Sequence, residues 1–403
     1  MNLKGGGSQE AEWKAMSSAR SVTFYRQAIA LLAGCYFARL AWEVPAFHSN
    51  TGLLDHQWAE VTFPYLWQPL FRPYQSDFSM RFLLAAASGL CLPLALGVYP
   101  RLCAGILYFV LCCSYRWNFL VATVDDELLH LSLFWLQVLL QHPEGPGRRL
   151  LAWNFSLLYV VAGFSKWTSP MWRSGTALAA VMQLPGSRFP EALAGLDLRP
   201  LSWLALLLEP LFALLPWLPA GRGRRLLMVL WLGFHGLLVL TFDVAIANLC
   251  CLAAGLVIFE LPCDGRWTRV DRLAGLVLAL LVGSQLGSFF QPSWRSGTTS
   301  VGEAGSGLQR GCNAALWCLG LAQQYRLLDW IDERNYQADL QTLEGDQSWP
   351  IPGHLRQGLA LSYLTPAPWL CPPAEQRERL RQSSWRRWRQ WCGRPVQLHW
   401  RRL

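Results

Sequence analysis

Long apolar stretches, each close to the length of a membrane-spanning helix, recur along the first 290 residues. A helix needs roughly 20 apolar residues to cross the hydrocarbon core of a bilayer. The pattern therefore predicts an all-α polytopic membrane protein with about nine transmembrane helices. These stretches lie at about 21–44, 78–98, 102–122, 127–141, 149–165, 200–219, 224–242, 245–261 and 271–290, and the fourth is short enough to be tilted or half-buried.

The charged loops between these stretches fall into two groups that alternate along the chain. Acidic residues occur at Asp125-Asp126-Glu127 and at Asp243, on one side of the predicted bundle. Loops rich in Lys and Arg stay in the cytoplasm. The N-terminus is therefore predicted to be cytoplasmic, and an odd number of spans places the C-terminal region outside the cytoplasm. The basic loops on the side of the N-terminus are Arg148-Arg149, Arg222-Arg224-Arg225 and Arg266-Arg269-Arg272.

Four regions follow from these changes in composition. Residues 1–20 are polar and predict a mobile cytoplasmic tail, and 21–290 form the transmembrane domain. Residues 291–311 resemble a Gly/Ser linker. Residues 312–403 predict a small extracytoplasmic region, with a β-containing unit near its start and an Arg/Trp-rich tail at 377–402. We expect that tail to be a helix lying on anionic headgroups rather than a nucleic-acid-binding segment.

Composition supports a membrane protein and excludes some kinds of site. Charged residues make up 15% of the 403, well below the quarter typical of soluble domains, and 22 are Trp, which collects at membrane interfaces. The 12 cysteines show neither CxxC nor zinc spacing with His, so most are interpreted as small buried hydrophobic residues and no metal site is predicted. The expected partner is the lipid bilayer, with no nucleic acid.

Lys166 is the most distinctive candidate for chemistry. It follows Ala162-Gly163 at the end of an apolar helix, and it is the sole lysine beyond Lys14 in a chain that otherwise uses Arg. Arg keeps its charge everywhere, whereas a desolvated Lys can give up its proton. One interpretation is therefore that Lys166 acts as a general base in a reaction. The other is a side chain that extends to the lipid headgroups.

Further polar residues lie where the chain is otherwise apolar. Asp125, Asp126 and Glu127 precede His130 on one helix, and acids at a helix start are also typical of capping. His235 lies mid-span, where a hydrogen-bonded core histidine is the simpler interpretation. Glu209 must be neutral or paired, and Arg26 and Arg39 of the first span are candidates for that pairing.

Several motifs resemble those of the horizontally transferred transmembrane domain, the family of the vitamin K-dependent γ-carboxylase. They occur along the chain in the same order as in that family. The resemblance covers residues 21–290. Its most specific part is Tyr159-x-x-Ala-Gly-x-x-Lys166 followed by Trp172 and Gly175. The other matching motifs are Arg26 in FYRQAIALLAG, Phe63-Pro64, Asp126-Glu127-Leu128-Leu129 and Phe234-His235.

The resemblance implies a membrane naphthoquinone or its hydroquinone as cofactor and Lys166 as the general base that deprotonates the hydroquinone. Glu127, His130 and His235 are then expected as proton partners of Lys166. Asp126-Glu127 stands where the carboxylase has an Asn-His pair, and the large lumenal domain is replaced by about a hundred residues, so glutamate carboxylation itself is not expected. The alternative is a non-catalytic membrane scaffold or assembly factor. The expected quinone-binding residues are Arg26, Asp126, Gly163, Trp172 and Gly175.

Overall fold

The computed structural model describes eleven helices and three strands. The helices are α1 (Gly6–Phe47), α2 (Asp77–Leu96), α3 (Pro100–Trp117), α4 (Val124–Gln141), α5 (Gly147–Thr168), α6 (Pro170–Ser174), α7 (Ala177–Met182), α8 (Arg199–Phe212), α9 (Arg222–Thr241), α10 (Ala245–Ile258) and α11 (Arg269–Phe289), and the strands are β1 (Tyr336–Thr342), β2 (Ser348–Trp349) and β3 (Val396–Arg402). The residues described are 6–48, 71, 74, 76–117, 124–143, 145–182, 187–189, 195–242, 244–259, 267–289, 311–313, 315–316, 319, 321, 336–342, 348–349 and 396–402.

Each of the nine predicted apolar stretches corresponds to one long helix, which confirms the helical architecture. The boundaries differ most at the N-terminus. Helix α1 begins at Gly6, so most of the expected 1–20 tail is helical, in keeping with the strong helix formers in EAEWKAM. The Phe63-Pro64 motif, the loop acid Asp243 and the 291–310 part of the linker lie outside the described residues.

Helix α4 lies at the centre of the bundle. It packs against α1, α3, α5, α10 and α11, and most of its side chains are buried. The stretch at 127–141 is therefore part of an 18-residue helix that is mostly buried within the bundle. As a result Asp125, Asp126 and His130 all lie inside the bundle.

Arginines of one helix bind the C-terminal carbonyls of a neighbouring helix at three places. Arg26 of α1 donates to the Ala95 carbonyl of α2 at 3.2 Å, and Arg101 of α3 donates to the Leu140 carbonyl of α4 at 2.8 Å. Arg224 of α9 donates to the Phe259 carbonyl that follows α10. The last turn of a helix leaves carbonyls without an intrahelical partner and carries partial negative charge, so a cation is stabilising there.

The starts of α5 and α11 lie at the same end of the bundle as the first part of α1. Arg148 of α5 donates to the Ser21 hydroxyl of α1, and Asp271 of α11 lies beside Gly147 of α5. Arg224 joins the start of α9 to the end of α10. Arg148, one of the basic loop residues, thus lies beside the N-terminal part of α1.

Within the part of the chain that the structure describes, two helices, α2 and α9, are long and apolar enough to cross a membrane. Only 28% of the apolar window of α2 and 11% of that of α9 is buried within the protein. A core helix of a soluble protein is mostly buried, so both helices leave an unusually large apolar surface uncovered.

Downstream of the helices, the described strands form a three-stranded antiparallel sheet in the order β2-β1-β3. Its register pairs Ala338 with Trp400 and Leu340 with Leu398. The expected β-containing unit is therefore present, and it includes Val396–Arg402. The prediction of a helix for the whole Arg/Trp tail is wrong at Val396–Arg402, where alternating apolar and polar residues form β3. Residues 377–395 lie outside the described residues.

Candidate functional site

Lys166 forms a buried ion pair with Glu209. The Lys166 Nζ lies 2.6 Å from Glu209 Oε2, and the two residues are 2% and 6% exposed. Lys166 lies in the last turn of α5, and Glu209 lies one turn before the end of α8. The ammonium therefore does not extend to the headgroups, and the partner of Glu209 is Lys166 rather than Arg26 or Arg39.

Trp172 covers the ion pair from the turn that follows α5. Its ring centroid lies 5.4 Å from the Lys166 Nζ, within the range of a cation–π interaction. The turn is short because Gly175 ends α6 with a φ of 81°, in the left-handed region that favours glycine. A side chain at Gly175 would also meet Trp203 and Arg199 at 3.1 Å. Trp172 and Gly175 thus help to shape the surroundings of Lys166, and their role in binding a quinone stays a prediction.

Gly163 allows α5 and α8 to approach closely. A Cβ at this position would lie 2.7 Å from Cδ and 3.0 Å from the backbone nitrogen of Pro210. Gly163 is one turn before Lys166, and Pro210 is adjacent to Glu209. The absent side chain therefore brings the two helices near enough for the short Lys166–Glu209 contact.

His235 belongs to a second polar cluster, which is neutral. The Asn248 amide nitrogen donates to the Val244 carbonyl at 2.8 Å, so its oxygen, 2.7 Å from His235 Nδ1, is the acceptor for that ring nitrogen. His235 Nε2 is then the acceptor for the Tyr159 hydroxyl, which in turn accepts from Trp231 Nε1 at 2.7 Å. All four side chains are buried, and together they join α5, α9 and α10.

His130 lies against α3. Its Nε2 is 2.8 Å from the Sγ of Cys112, and its ring lies 4.5 Å from the ring of Tyr108. The described contacts of His130 thus involve α3, whereas those of Lys166 involve α8 and the following turn. Its predicted role as a proton partner of Lys166 stays a prediction.

The acidic residues at the start of α4 hold neighbouring helices. Asp125 Oδ1 accepts from the Ala247 backbone nitrogen at 2.7 Å, which caps the start of α10. Asp126 accepts from the Tyr36 hydroxyl of α1. Glu127, half-buried, lies in the same first turn. Capping is therefore a feature of this group, because Asp125 caps the start of α10.

Arg26 and Lys166 lie towards opposite ends of the bundle. Arg148, at the start of α5, contacts Ser21, only five residues from Arg26 on α1. Lys166 is 18 residues further along α5 than Arg148, which corresponds to roughly 27 Å of helix. The guanidinium of Arg26 binds the end of α2 instead. Arg26 is thus remote from the other predicted quinone-binding residues of α5 and α6.

The structure brings together Lys166, Gly163, Trp172 and Gly175 from the predicted set. It adds Glu209, whose placement in an apolar run was visible in the sequence, although its partner was not. Tyr159 and Asn248 were also missed as functional residues. A polar amide within IANLCCLAAG was the available signal for Asn248, because such residues in apolar helices usually have a specific partner.

Comparison with known proteins identifies no relative of this chain. No family model, no curated protein and no solved structure matches it. The resemblance to the carboxylase-like transmembrane domain therefore stays a prediction that rests on the motifs quoted above, and the chemistry of the site is argued from its own residues.

Proposed function

We propose that this protein is a multi-pass membrane protein that takes a proton from a membrane-soluble hydroquinone at the Lys166–Glu209 pair. The observation that carries the proposal is the 2.6 Å contact between a buried amine and a buried carboxylate beneath the Trp172 ring. Ionisable groups inside a membrane bundle are rare and mark functional sites by default. The resemblance to the carboxylase-like domain gives the substrate class.

Uncovered apolar side chains support the multi-pass arrangement. They occur on eight of the long helices, far beyond the apolar patches of a typical soluble monomer. Lipid would cover these faces, and the basic residues near the start of α1 would lie in the cytoplasm. Representative exposed residues are Phe24, Phe82, Phe109, Trp153, Leu207, Val229, Leu256 and Leu276.

The pair can act as a base although its lysine is already bound to a carboxylate. A hydroquinone supplies a weakly acidic hydroxyl. As Nζ of Lys166 accepts that proton, it passes one of its own to Oε2 of Glu209. The pair changes from zero net charge to +1, and the positive charge remains on Lys166, where it can stabilise the anion of the substrate. Lys166 is thus the base that accepts the hydroquinone proton, and Glu209 holds the proton that Lys166 releases.

The surroundings of the pair suit an aromatic, membrane-soluble substrate. Trp172 presents a ring beside Lys166, and the exposed side chains of Phe164 and Trp167 flank Lys166 on α5. Trp167 also donates to the Leu206 carbonyl of α8 at 2.8 Å, which holds it across the two helices. A flat ring system entering from the lipid would meet these aromatic side chains first.

The proposal is tested by binding of reduced 2-methyl-1,4-naphthoquinone to the detergent-solubilised protein, measured by equilibrium dialysis under anaerobic conditions. The Lys166→Met/Glu209→Met variant removes both charges with little change in volume. Replacement of a buried ion pair by apolar residues is often neutral for stability. We expect the double variant to stay folded and to lose binding, and Lys166→Arg to lose it as well, because Arg cannot release its proton.

Unchanged binding in the folded double variant would contradict the proposal. Phe82→Leu, which alters an exposed side chain of α2, is the matched control and is expected to bind as the wild type does. Folding of every variant is followed by its thermal transition in the same detergent.

A non-catalytic scaffold is the second candidate, and the specific partners of three buried polar groups favour it. Lys166 pairs with Glu209, and His235 is hydrogen-bonded to Tyr159 and Asn248. Asp125 caps the start of α10. Such contacts can serve simply to specify how helices pack. A scaffold would tolerate the Lys166→Met/Glu209→Met variant in a growth assay of a deletion strain, whereas an enzyme that uses the pair would not.

A further inference from the structure

Cys112 and His130 form a buried thiol–imidazole pair that has no part in the function proposed above. The Sγ of Cys112 on α3 lies 2.8 Å from Nε2 of His130 on α4, and both side chains are inside the bundle. Each comes from a helix that packs directly on the other, so the contact is fixed by two rigid elements. An imidazole in this position can accept the proton of the thiol.

The neighbouring cysteine provides a contrast. Cys113 is equally buried but belongs to the main apolar core. Successive residues of a helix point about 100° apart, so the two thiols of one dipeptide enter different surroundings. One is placed beside a base, and the other belongs to the main core cluster.

Tyr108, which lies beside the pair, contacts a segment beyond the last helix. The Tyr108 ring lies 4.5 Å from the His130 ring, and its hydroxyl donates to the Leu319 carbonyl. Leu316 and Leu321 on either side of Leu319 are buried in the main core. Tyr108 therefore connects this segment to the side of the bundle where His130 lies.

We propose that Cys112 and His130 are a nucleophilic pair that reacts with lipid-soluble, electron-poor alkenes such as α,β-unsaturated carbonyl compounds. The thiol passes its proton to His130 Nε2, and the sulfur forms a bond to the β-carbon of the alkene. The electron pair of the C=C bond moves to the carbonyl oxygen as an enolate, which recovers the proton from His130. The net reaction is addition of a thiol, so it needs no oxidant or reductant.

The test is alkylation of the full-length protein in lipid nanodiscs by N-ethylmaleimide, a membrane-permeant unsaturated carbonyl compound. Fragment-ion mass spectrometry distinguishes Cys112 from Cys113 in the same peptide. Because the thiolate is the reactive form, we expect Cys112 to react about tenfold faster than Cys113 at neutral pH. In His130→Gln the rate at Cys112 should fall to that at Cys113. In Tyr108→Phe, which removes the bond to Leu319, Cys112 should react faster than in the wild type.

The proposal is overturned if Cys112 reacts no faster than Cys113 in both the wild type and Tyr108→Phe. An unfolded His130→Gln variant would expose both cysteines and raise both rates together. In that case the ratio of the two rates in the wild type and in Tyr108→Phe decides the outcome. None of these measurements depends on Lys166 or Glu209, so their failure would leave the hydroquinone proposal standing.

Discussion

Helix α5 carries two buried polar sites on one face, and they differ in charge. Tyr159 and Lys166 are seven residues apart, which is nearly two helical turns. Tyr159 joins a neutral chain of hydrogen bonds with Trp231, His235 and Asn248, whereas Lys166 joins a single carboxylate on α8. The neutral chain connects three helices, and the ion pair connects two.

The difference shows how the two sites can be used. In the neutral chain the Asn248 contact with Val244 fixes the donor and acceptor at each following step, and moving the Tyr159 proton to His235 would create two buried charges. In the ion pair a proton can occupy either Nζ or Oε2 without any side chain moving. A site that must exchange protons therefore suits Lys166 and Glu209 better than His235. The neutral chain suits a packing role.

The largest effect is expected when the ion pair is broken on one side only. Lys166→Ala leaves Glu209 buried without its cation and should cost about 3–5 kcal/mol of unfolding free energy. The unfolding free energy of Lys166→Met/Glu209→Met should lie within about 1 kcal/mol of the wild-type value or exceed it. Both are measured by SDS titration in mixed micelles. Equal losses of unfolding free energy in the single and double variants would mean that the charges of Lys166 and Glu209 do not interact as the structure indicates.

Breaking the neutral chain should cost less. Tyr159→Phe deprives both Trp231 Nε1 and His235 Nε2 of a hydrogen-bond partner, and the two losses together should cost about 3 kcal/mol. The same titration measures the loss, with the exposed Phe164→Leu on α5 as a control that should change by less than about 0.5 kcal/mol. Hydroquinone binding should persist in Tyr159→Phe. Loss of hydroquinone binding in a folded Tyr159→Phe variant would show that the two polar sites act together.

The spacing between α5 and α8 can be altered without substituting a side chain of either polar site. Gly163→Ala places a methyl group 2.7 Å from Cδ of Pro210, and this overpacking should cost about 1–3 kcal/mol. Gly233→Ala on α9 is the matched control, because no atom lies within 4 Å of its new Cβ and alanine favours the helix. Thermal transitions of the two variants should therefore move in opposite directions. A harmless Gly163→Ala would show that α8 can move away from α5.

The smallest effect is expected at the cap of α10. Asp125→Ala removes the acceptor of the Ala247 nitrogen and should cost about 1 kcal/mol, whereas Asp125→Asn keeps an oxygen there and should cost less. Thermal stability of the two variants gives the comparison. If Asn is as harmful as Ala, the negative charge rather than the acceptor oxygen matters at this helix start.

Much of the helical fold was predictable because the apolar stretches are long and separated by charged loops. The nine stretches became nine long helices, and the short one at 127–141 proved to be the central α4. The start of α1 at Gly6 and the strand at Val396–Arg402 were not predicted. Polar helix formers extend α1 beyond its apolar part. The Arg/Trp tail contains residues that suit both a helix and a strand, so pairing with β1 determines the outcome.

The sequence by itself determined which residues are unusual, because a lysine, a glutamate or an amide in an apolar helix is conspicuous in any fold. It thereby selected Lys166, Glu209, His130 and His235. Tertiary structure alone decided their partners. Glu209 contacts Lys166 because Gly163 lets α8 approach α5, and His130 meets Cys112 because α3 packs on α4. Hydrogen bonds and ion pairs act over about 3 Å, and no periodicity along the chain specifies which distant helices come that close.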